Sequence, residues 1–237
     1  MTEQERREIL ENARIFFREK IAVNHQRNTI KLKNLSEFNV NPFLDTYLAN
    51  YAFGTSTPEN IARAMIYPRV LGTSITTSFG ANMQNFCNIV LSSYASLVSG
   101  IDIEFIDAID GRRKYCQTKA GPNTINKDDV DSIKGHFRDI RNLARTNQNL
   151  EINPSVDCIV GVLYGTFNDV SAFYKKINED YPVICGKNFW HRLTGDERFY
   201  NELISAFAEV AVDMDSRELI ENTVMALSAK IRERGNT

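Results

Sequence analysis

The sequence predicts an α/β protein in which a mixed central sheet is flanked by helices, with further helices added at both ends. Three observations carry this expectation. Residues 100–120 hold two strand-forming runs around Asp110-Gly111. SVDCIVGVLYG (155–165) and YPVICG (181–186) read as buried strands with a helical DVSAFYKKI between them. Charged segments with apolar residues at helical spacing occupy both ends of the chain. No repeat, low-complexity tract or linker justifies a cut, so one domain over 1–237 is expected. It would comprise an N-terminal helical part (1–68), a core (69–186) and C-terminal helices (187–237).

Taken in order, residues 3 to about 24 set Ile9, Leu10, Ala13, Ile15, Phe16, Phe17 and Ile21 among charges, an amphipathic helix. NPFLDTYLANYAF (41–53) is a second helix. In TSTPENIARAMIYP (55–68), Thr57 is the expected cap, Pro58 the first helical position and Pro68 the stop. The Gly, Ser and Thr cluster of 72–80 reads as a loop. From Ser78 the repeat of Phe79, Met83, Phe86, Cys87, Val90 and Leu91 predicts a helix ending near Gly100. Another helix starts near Asp128 or Asp129, and the C-terminal stretch is helical.

With 237 residues and 43% hydrophobic content the chain can bury a sizeable core, while a net charge of −2 argues against a generally basic nucleic-acid coat. Cys87, Cys116, Cys158 and Cys185 form no C-x-x-C pair, so buried free thiols in a reducing, cytoplasmic setting are expected rather than zinc. The charged N-terminus has no apolar signal core, and no apolar run is long enough to span a membrane. GTSITTSFG lacks the Gly-Lys-Ser/Thr of a phosphate loop and no G-x-G-x-x-G follows a strand, so no nucleotide cofactor is expected. His191 beside Trp190 reads as packing, and no Ser or Cys partner supports nucleophilic catalysis. His25, Arg27 and Asn28 fall in a polar joint.

The hairpin carries the chemistry. A two-residue Asp110-Gly111 turn of type I′ would pair position i with 221 − i. Asp102 would then oppose Lys119 and Glu104 would oppose Gln117. Alternation would put these four side chains on one face. One reading is a cross-strand salt bridge on a solvated face, worth about 0.2–1 kcal/mol. The other is a site: two carboxylates and the Thr118 carbonyl offer the oxygen ligands that Mg²⁺ takes, and an adjacent ammonium can orient water and offset charge on a phosphoryl oxygen.

Asp102, then fourteen residues, then Gln117-Thr118-Lys119 resembles the signature of the PD-(D/E)XK nucleases. The longer string VLGTSITTSFGANMQNF, SGIDIEF, KYCQTKAGPNTINKDDV and GKNFWHRLTGDERFY resembles a type II restriction endonuclease of the GGNCC-cutting group, from about residue 60 to 208. The resemblance implies Mg²⁺-dependent, sequence-specific hydrolysis of double-stranded DNA to 5′-phosphate ends by a homodimer. It makes Asp102 the metal-binding aspartate and Lys119 the catalytic lysine. Gln117 stands where the family usually has Asp or Glu. Glu104, expected across the hairpin, or Gln84 on the preceding helix would compensate. A structure-directed repair or recombination nuclease of the same fold, or a catalytically silent DNA-binding module, are the alternatives.

From Arg112 to Gln148 there are nine Lys or Arg against four Asp. Lys134, Arg138, Arg141 and Arg145 recur at helical spacing as a basic stripe, with His136 off it. This is either a solvated face or a phosphate contact. Asn123, Thr124, Asn126 and Lys127, just past the lysine strand, are candidate DNA contacts; turn formation is the competing use of Asn and Thr.

Overall fold

The computed structural model describes residues 2–90, 94–146 and 152–235. The chain forms two compact units. One takes in the N-terminal residues to Phe16 with Asn82–Phe207, the other Phe17–Ala81 with Ala208–Thr237.

In the order of the chain, the helices are α1 (Glu3–Phe16), α2 (Val23–Lys31), α3 (Pro42–Phe53), α4 (Pro58–Pro68) and α5 (Ser74–Val90), followed by β1 (Ile103–Ile106) and β2 (Arg113–Lys119). Then come α6 (Lys127–Thr146), a single turn α7 (Pro154–Asp157), β3 (Cys158–Val162), α8 (Ala172–Asn178), β4 (Val183–Cys185), α9 (Gly186–Thr194), α10 (Phe199–Asp213) and α11 (Arg217–Gly235). None of these helices is long and apolar enough to cross a membrane, among the described residues.

In the second unit the core joins Leu32 to Ala62, Met65, Ile66 and Val70 of the α4 region and Val224 and Leu227 of α11. Thr57 caps α4 as expected, its side chain accepting from Asn60 N. Pro68, however, does not stop the helix. It lacks the N–H that would bond Ala64, and the chain takes up the mismatch in a π turn over Arg69–Thr73 before running on as α5. The Gly/Ser/Thr cluster expected as a loop is therefore largely helical, with Thr76 Oγ1 returning a bond to Gly72 O at 2.9 Å. A similar π turn, Phe17–Ala22, separates α1 from α2, so the joint holding His25 is helical. The helix expected to end near Gly100 gives way earlier, since Ala95 already bridges Ile103.

In the first unit the sheet runs β1-β2-β3-β4, antiparallel between β1 and β2 and parallel thereafter. This is the mixed, helix-flanked sheet that the sequence predicts. One face packs Cys158, Val160, Val162 and Val183 against Val130, Ile133, Phe137 and Ile140 of α6 and Tyr174 and Ile177 of α8. The other meets α9. There Gly161 lets the Phe189 ring lie against the strand, where a Cβ would stand 2.3 Å from the ring. Trp190 Nε1 donates to Leu163 O at 2.9 Å.

The hairpin closes differently from the expected two-residue turn. Asp107 N donates to Arg112 O at 2.9 Å, leaving a four-residue loop, Ala108–Gly111, in which Gly111 takes the left-handed φ of 69°. The register is Ile103 with Cys116 and Glu104 with Tyr115, a shift of two positions from the expected pairing.

The cause is a buried ion cluster at the loop. Lys114, only 1% exposed, holds Asp110 at 2.7 Å, with Asp157 at 3.8 Å and Asp107 at 4.0 Å. Arg192 reaches Asp107 and Arg112 grips both oxygens of Asp157, each at 2.5–2.6 Å. Asp107 Oδ1 and Asp110 Oδ1 also accept from Ile109 N and Arg112 N within the loop. Removing the central cation with Lys114→Met strands buried carboxylates, so about 3–5 kcal/mol of stability should be lost in urea unfolding.

Acid should act on the same cluster. Burial pushes the Asp110 and Asp157 carboxyls up, but hydrogen bonds from Lys114 and Arg112 and the adjacent cations outweigh it, leaving both below their ordinary 3.8. The folded chain therefore holds these groups ionised at pH values where the unfolded chain has begun to protonate them. Their stabilisation is complete above pH about 4 and drains as the pH falls through the lowered values. Asp157→Asn should flatten the pH dependence of the unfolding midpoint below pH about 4 while leaving its slope near pH 7 unchanged.

Candidate functional site

The site lies at the open end of the hairpin, where β1 begins later than β2 ends. Asp102 N donates to Cys116 O at 3.0 Å, the residue that Ile103 also faces, so two residues stand against one and the strand starts with a bulge. Thr118 lies two residues beyond Cys116, so its N–H and C=O point to the same side, toward β1, with no ladder partner there. Asp102 fills the gap: its Oδ2 accepts from Thr118 N at 2.6 Å and from Thr118 Oγ1 at 3.0 Å. Asp102 is thereby fixed beside the residue preceding Lys119. The expected opposition of Asp102 to Lys119 is corrected by the register, and the bulge breaks the strict alternation that would group Asp102 with Glu104.

Gln117 and Lys119 share a face of β2 by period two, the face that carries Val160 and Val162 on β3. Lys119 is half-buried, its side chain makes no hydrogen bond or ion pair among the described residues, and its carbonyl accepts from Leu163 N at 3.0 Å. Gln117 is 6% exposed. Its Nε2 donates to Gly100 O and lies 2.6 Å from His136 Nδ1.

Glu104 does not face Gln117. It pairs with Tyr115, and its carboxylate is held by Ser96 Oγ at 2.6 Å and Arg113 at 3.3 Å. The compensating role assigned to it rested on the two-residue turn and falls with that register. The side chain of Gln84, like those of Met83 and Cys87, lies outside the described residues.

The donor set suits a hard cation. Asp102 Oδ1, the Thr118 carbonyl and the Gln117 amide are all oxygen or amide donors, and Mg²⁺ binds through one or two carboxylates while keeping water and substrate phosphate. Among the described residues no group of three or more His, Cys, Asp or Glu could hold a metal. Burial and the Asp157 charge push the Cys158 thiol up to about 12, and burial pushes Cys185 up to about 11, so these two thiols stay protonated at neutral pH.

The loop and α6 sort differently from expectation. Asn126 Oδ1 accepts from Asp128 N at 2.8 Å and Asp129 N at 3.1 Å, so it caps α6. Thr124 Oγ1 donates to Gly121 O at 2.9 Å and lies 3.1 Å from Tyr174 Oη, which closes the turn. Asn123 and Lys127 are exposed and make no hydrogen bond or ion pair among the described residues. On the stripe, Lys134 is held by Asp180 at 2.5 Å. Lys134, Arg138 and Arg141 line a cavity of about 690 Å³ with Ser155 and Asn178–Pro182. Those partners precede β3 and β4, whereas Lys119 is the last residue of β2. The stripe and the lysine therefore sit at opposite ends of the parallel strands.

Sequence reasoning missed Gly100 and His136 as neighbours of Gln117. The phase of α6 held the signal. His136 lies three residues after Ile133 and one before Phe137, both buried against the sheet, so it flanks the core face as well as standing off the basic stripe.

A family model described as Type II restriction endonuclease EcoO109I matches residues 11–215. No curated protein matches the chain. With most of its length covered, including the hairpin, α6, β3 and β4, the chain belongs to the type II restriction endonuclease EcoO109I family and is a site-specific deoxyribonuclease.

Proposed function

We propose that the chain cuts both strands of a short palindromic DNA site in a Mg²⁺-dependent reaction, leaving a 3′-hydroxyl and a 5′-phosphate, and that Asp102 and Lys119 carry the chemistry. The observation that supports this most directly is the Asp102 carboxylate bonded to Thr118, next to Lys119. Asp102 Oδ1 has no hydrogen bond among the described residues and is available as a ligand. The Thr118 carbonyl leaves the strand on the same side, and Gln117 adds a neutral amide.

When bound, the cation supplies Lewis-acid polarisation of the scissile phosphate and a more acidic water. The protein's own part is positioning and charge. Asp102 is held against Thr118 and needs no reorganisation to serve as a ligand. The Lys119 ammonium, without an ion pair or hydrogen bond among the described residues, would orient the attacking water in line with the leaving oxygen and offset charge on the phosphoryl group. A two-fold homodimer would present one such site to each strand, matching protein symmetry to a palindrome such as GGNCC. The reaction belongs in the cytosol, where the DNA is.

Incubation with long natural DNA tests the reading. Discrete fragments with Mg²⁺ and none with EDTA are expected. A smear would indicate a structure-directed nuclease, and intact but retarded DNA a binding module. Asp102→Asn and Lys119→Ala should each lower the single-turnover cleavage rate by about 10²–10³-fold or more, and a Lys119→Ala protein cutting at the wild-type rate would overturn the assignment. Light scattering should give twice the chain mass of 27.0 kDa.

Arg138 and Arg141 make no ion pair among the described residues, and we assign them to DNA phosphates remote from the cleaved bond. The double change to Ala should reduce the slope of log affinity against log salt by about 1.8. The fragments produced should stay the same.

A further inference from the structure

The geometry points to Gln117 as a fitted amide rather than a decayed carboxylate, with His136 as the residue that positions it. The inference rests on the Mg²⁺ reading above and concerns how that site is completed.

Two groups converge on the Gln117 nitrogen: the carbonyl of Gly100 and Nδ1 of His136, the latter at 2.6 Å. A carbonyl oxygen can only accept, so the amide atom against Gly100 must be the NH₂, which fixes which way the side chain is turned. The second amide hydrogen goes to His136 Nδ1, which must then carry the lone pair, with the ring hydrogen on Nε2. Both N–H groups of Gln117 are spent on the protein. Its Oε1 alone remains to face a cation.

The neighbours are shaped for this arrangement. Gly100 adopts φ 77°, and a Cβ there would lie 2.4 Å from His136 Cγ, so only glycine lets the ring close on the amide. His136 is carried by α6, whose adjacent residues Ile133 and Phe137 are buried at 2% and 0% exposure, so the ring is held by a packed helix. A carboxylate at 117 would have no hydrogen to give to Gly100 O and would set two acceptors against each other. The departure from the family's acid-x-Lys pattern is therefore matched by its surroundings. His136 acts through Gln117 and is a positioning residue, as metal ligands are commonly oriented by a partner behind them.

The test is a Mg²⁺ titration of single-turnover cleavage, with DNA affinity measured separately in Ca²⁺ and folding checked by thermal melting. His136→Leu should raise the Mg²⁺ concentration for half-maximal cleavage roughly 10–100-fold with DNA affinity unchanged. His136→Asn, which keeps an acceptor near the Nδ1 position, should restore most of the loss, a rescue that lost packing alone would not give. Gln117→Glu should not lower the half-maximal Mg²⁺ concentration. The inference is overturned if His136→Leu titrates like wild type, if Asn rescues no better than Leu, or if Gln117→Glu binds Mg²⁺ tenfold more tightly. Should Asp102→Asn and Lys119→Ala cut normally, the Mg²⁺ reading itself fails; should they be inert while His136→Leu titrates as wild type, only this inference does.

Discussion

The neutral, buried ion cluster around Lys114 is the constraint from which the rest of the hairpin follows. Three carboxylates, Asp107, Asp110 and Asp157, meet three cations, Lys114, Arg112 and Arg192, where Asp107 and Lys114 are almost fully removed from water. Isolated, any of these charges would cost several kcal/mol to bury. Together they close only in one loop geometry, because Asp107 and Asp110 must also accept from the loop's own N–H groups. A two-residue turn would forgo those bonds. The longer loop displaces the pairing of β1 and β2 by two positions.

That displacement has its consequence at the other end of the hairpin. β1 stops short of Thr118, and the exposed N–H is taken by Asp102 from its bulge. The carboxylate is thus held in place by a backbone group it would otherwise leave unsatisfied, and its orientation is part of the fold. Removing its charge would disturb the strand end, so in the proposed role activity and stability at Asp102 are coupled. Lys119 is different. Its backbone is in the ladder, and its ammonium makes no hydrogen bond or ion pair among the described residues.

The architecture was legible in the sequence because the signals were local and redundant. Apolar runs marked β3 and β4, the Asp128-Asp129 pair marked the start of α6, and Thr57-Pro58 marked the start of α4. The strand pattern also singled out Asp102, Gln117 and Lys119, and the fold sets Asp102 against Thr118, the residue before Lys119. What was not legible depended on contacts distant in sequence. Asp-Gly is a strong signal for a two-residue turn, but Asp157 and Arg192, 47 and 82 positions beyond Asp110, favour the four-residue loop. Pro68 is a strong stop, but the π turn absorbs its missing donor and the buried Val70 keeps the helix against the core of its unit. Asn126 and Thr124 were open between base contact and turn formation, and hydrogen bonding resolves them as cap and turn.

The same internal use of polar groups changes what the local charge excess means. Nine cations against four acids between 112 and 148 suggest a broad positive face. Arg112 and Lys114 are consumed in the buried cluster, Arg113 by Glu104 and Lys134 by Asp180. Those left without ion pairs among the described residues are Lys119, Lys127, Arg138, Arg141 and Arg145. Lys119 and Lys127 stand near the end of the sheet where Asp102 is fixed, and the three arginines run along α6 toward the other end. At 1.5 Å per residue, Lys127 and Arg145 are about 27 Å apart along the helix. The cations left unpaired among the described residues are thus spread from Lys119 along α6 rather than gathered in one patch, in a chain whose net charge is −2.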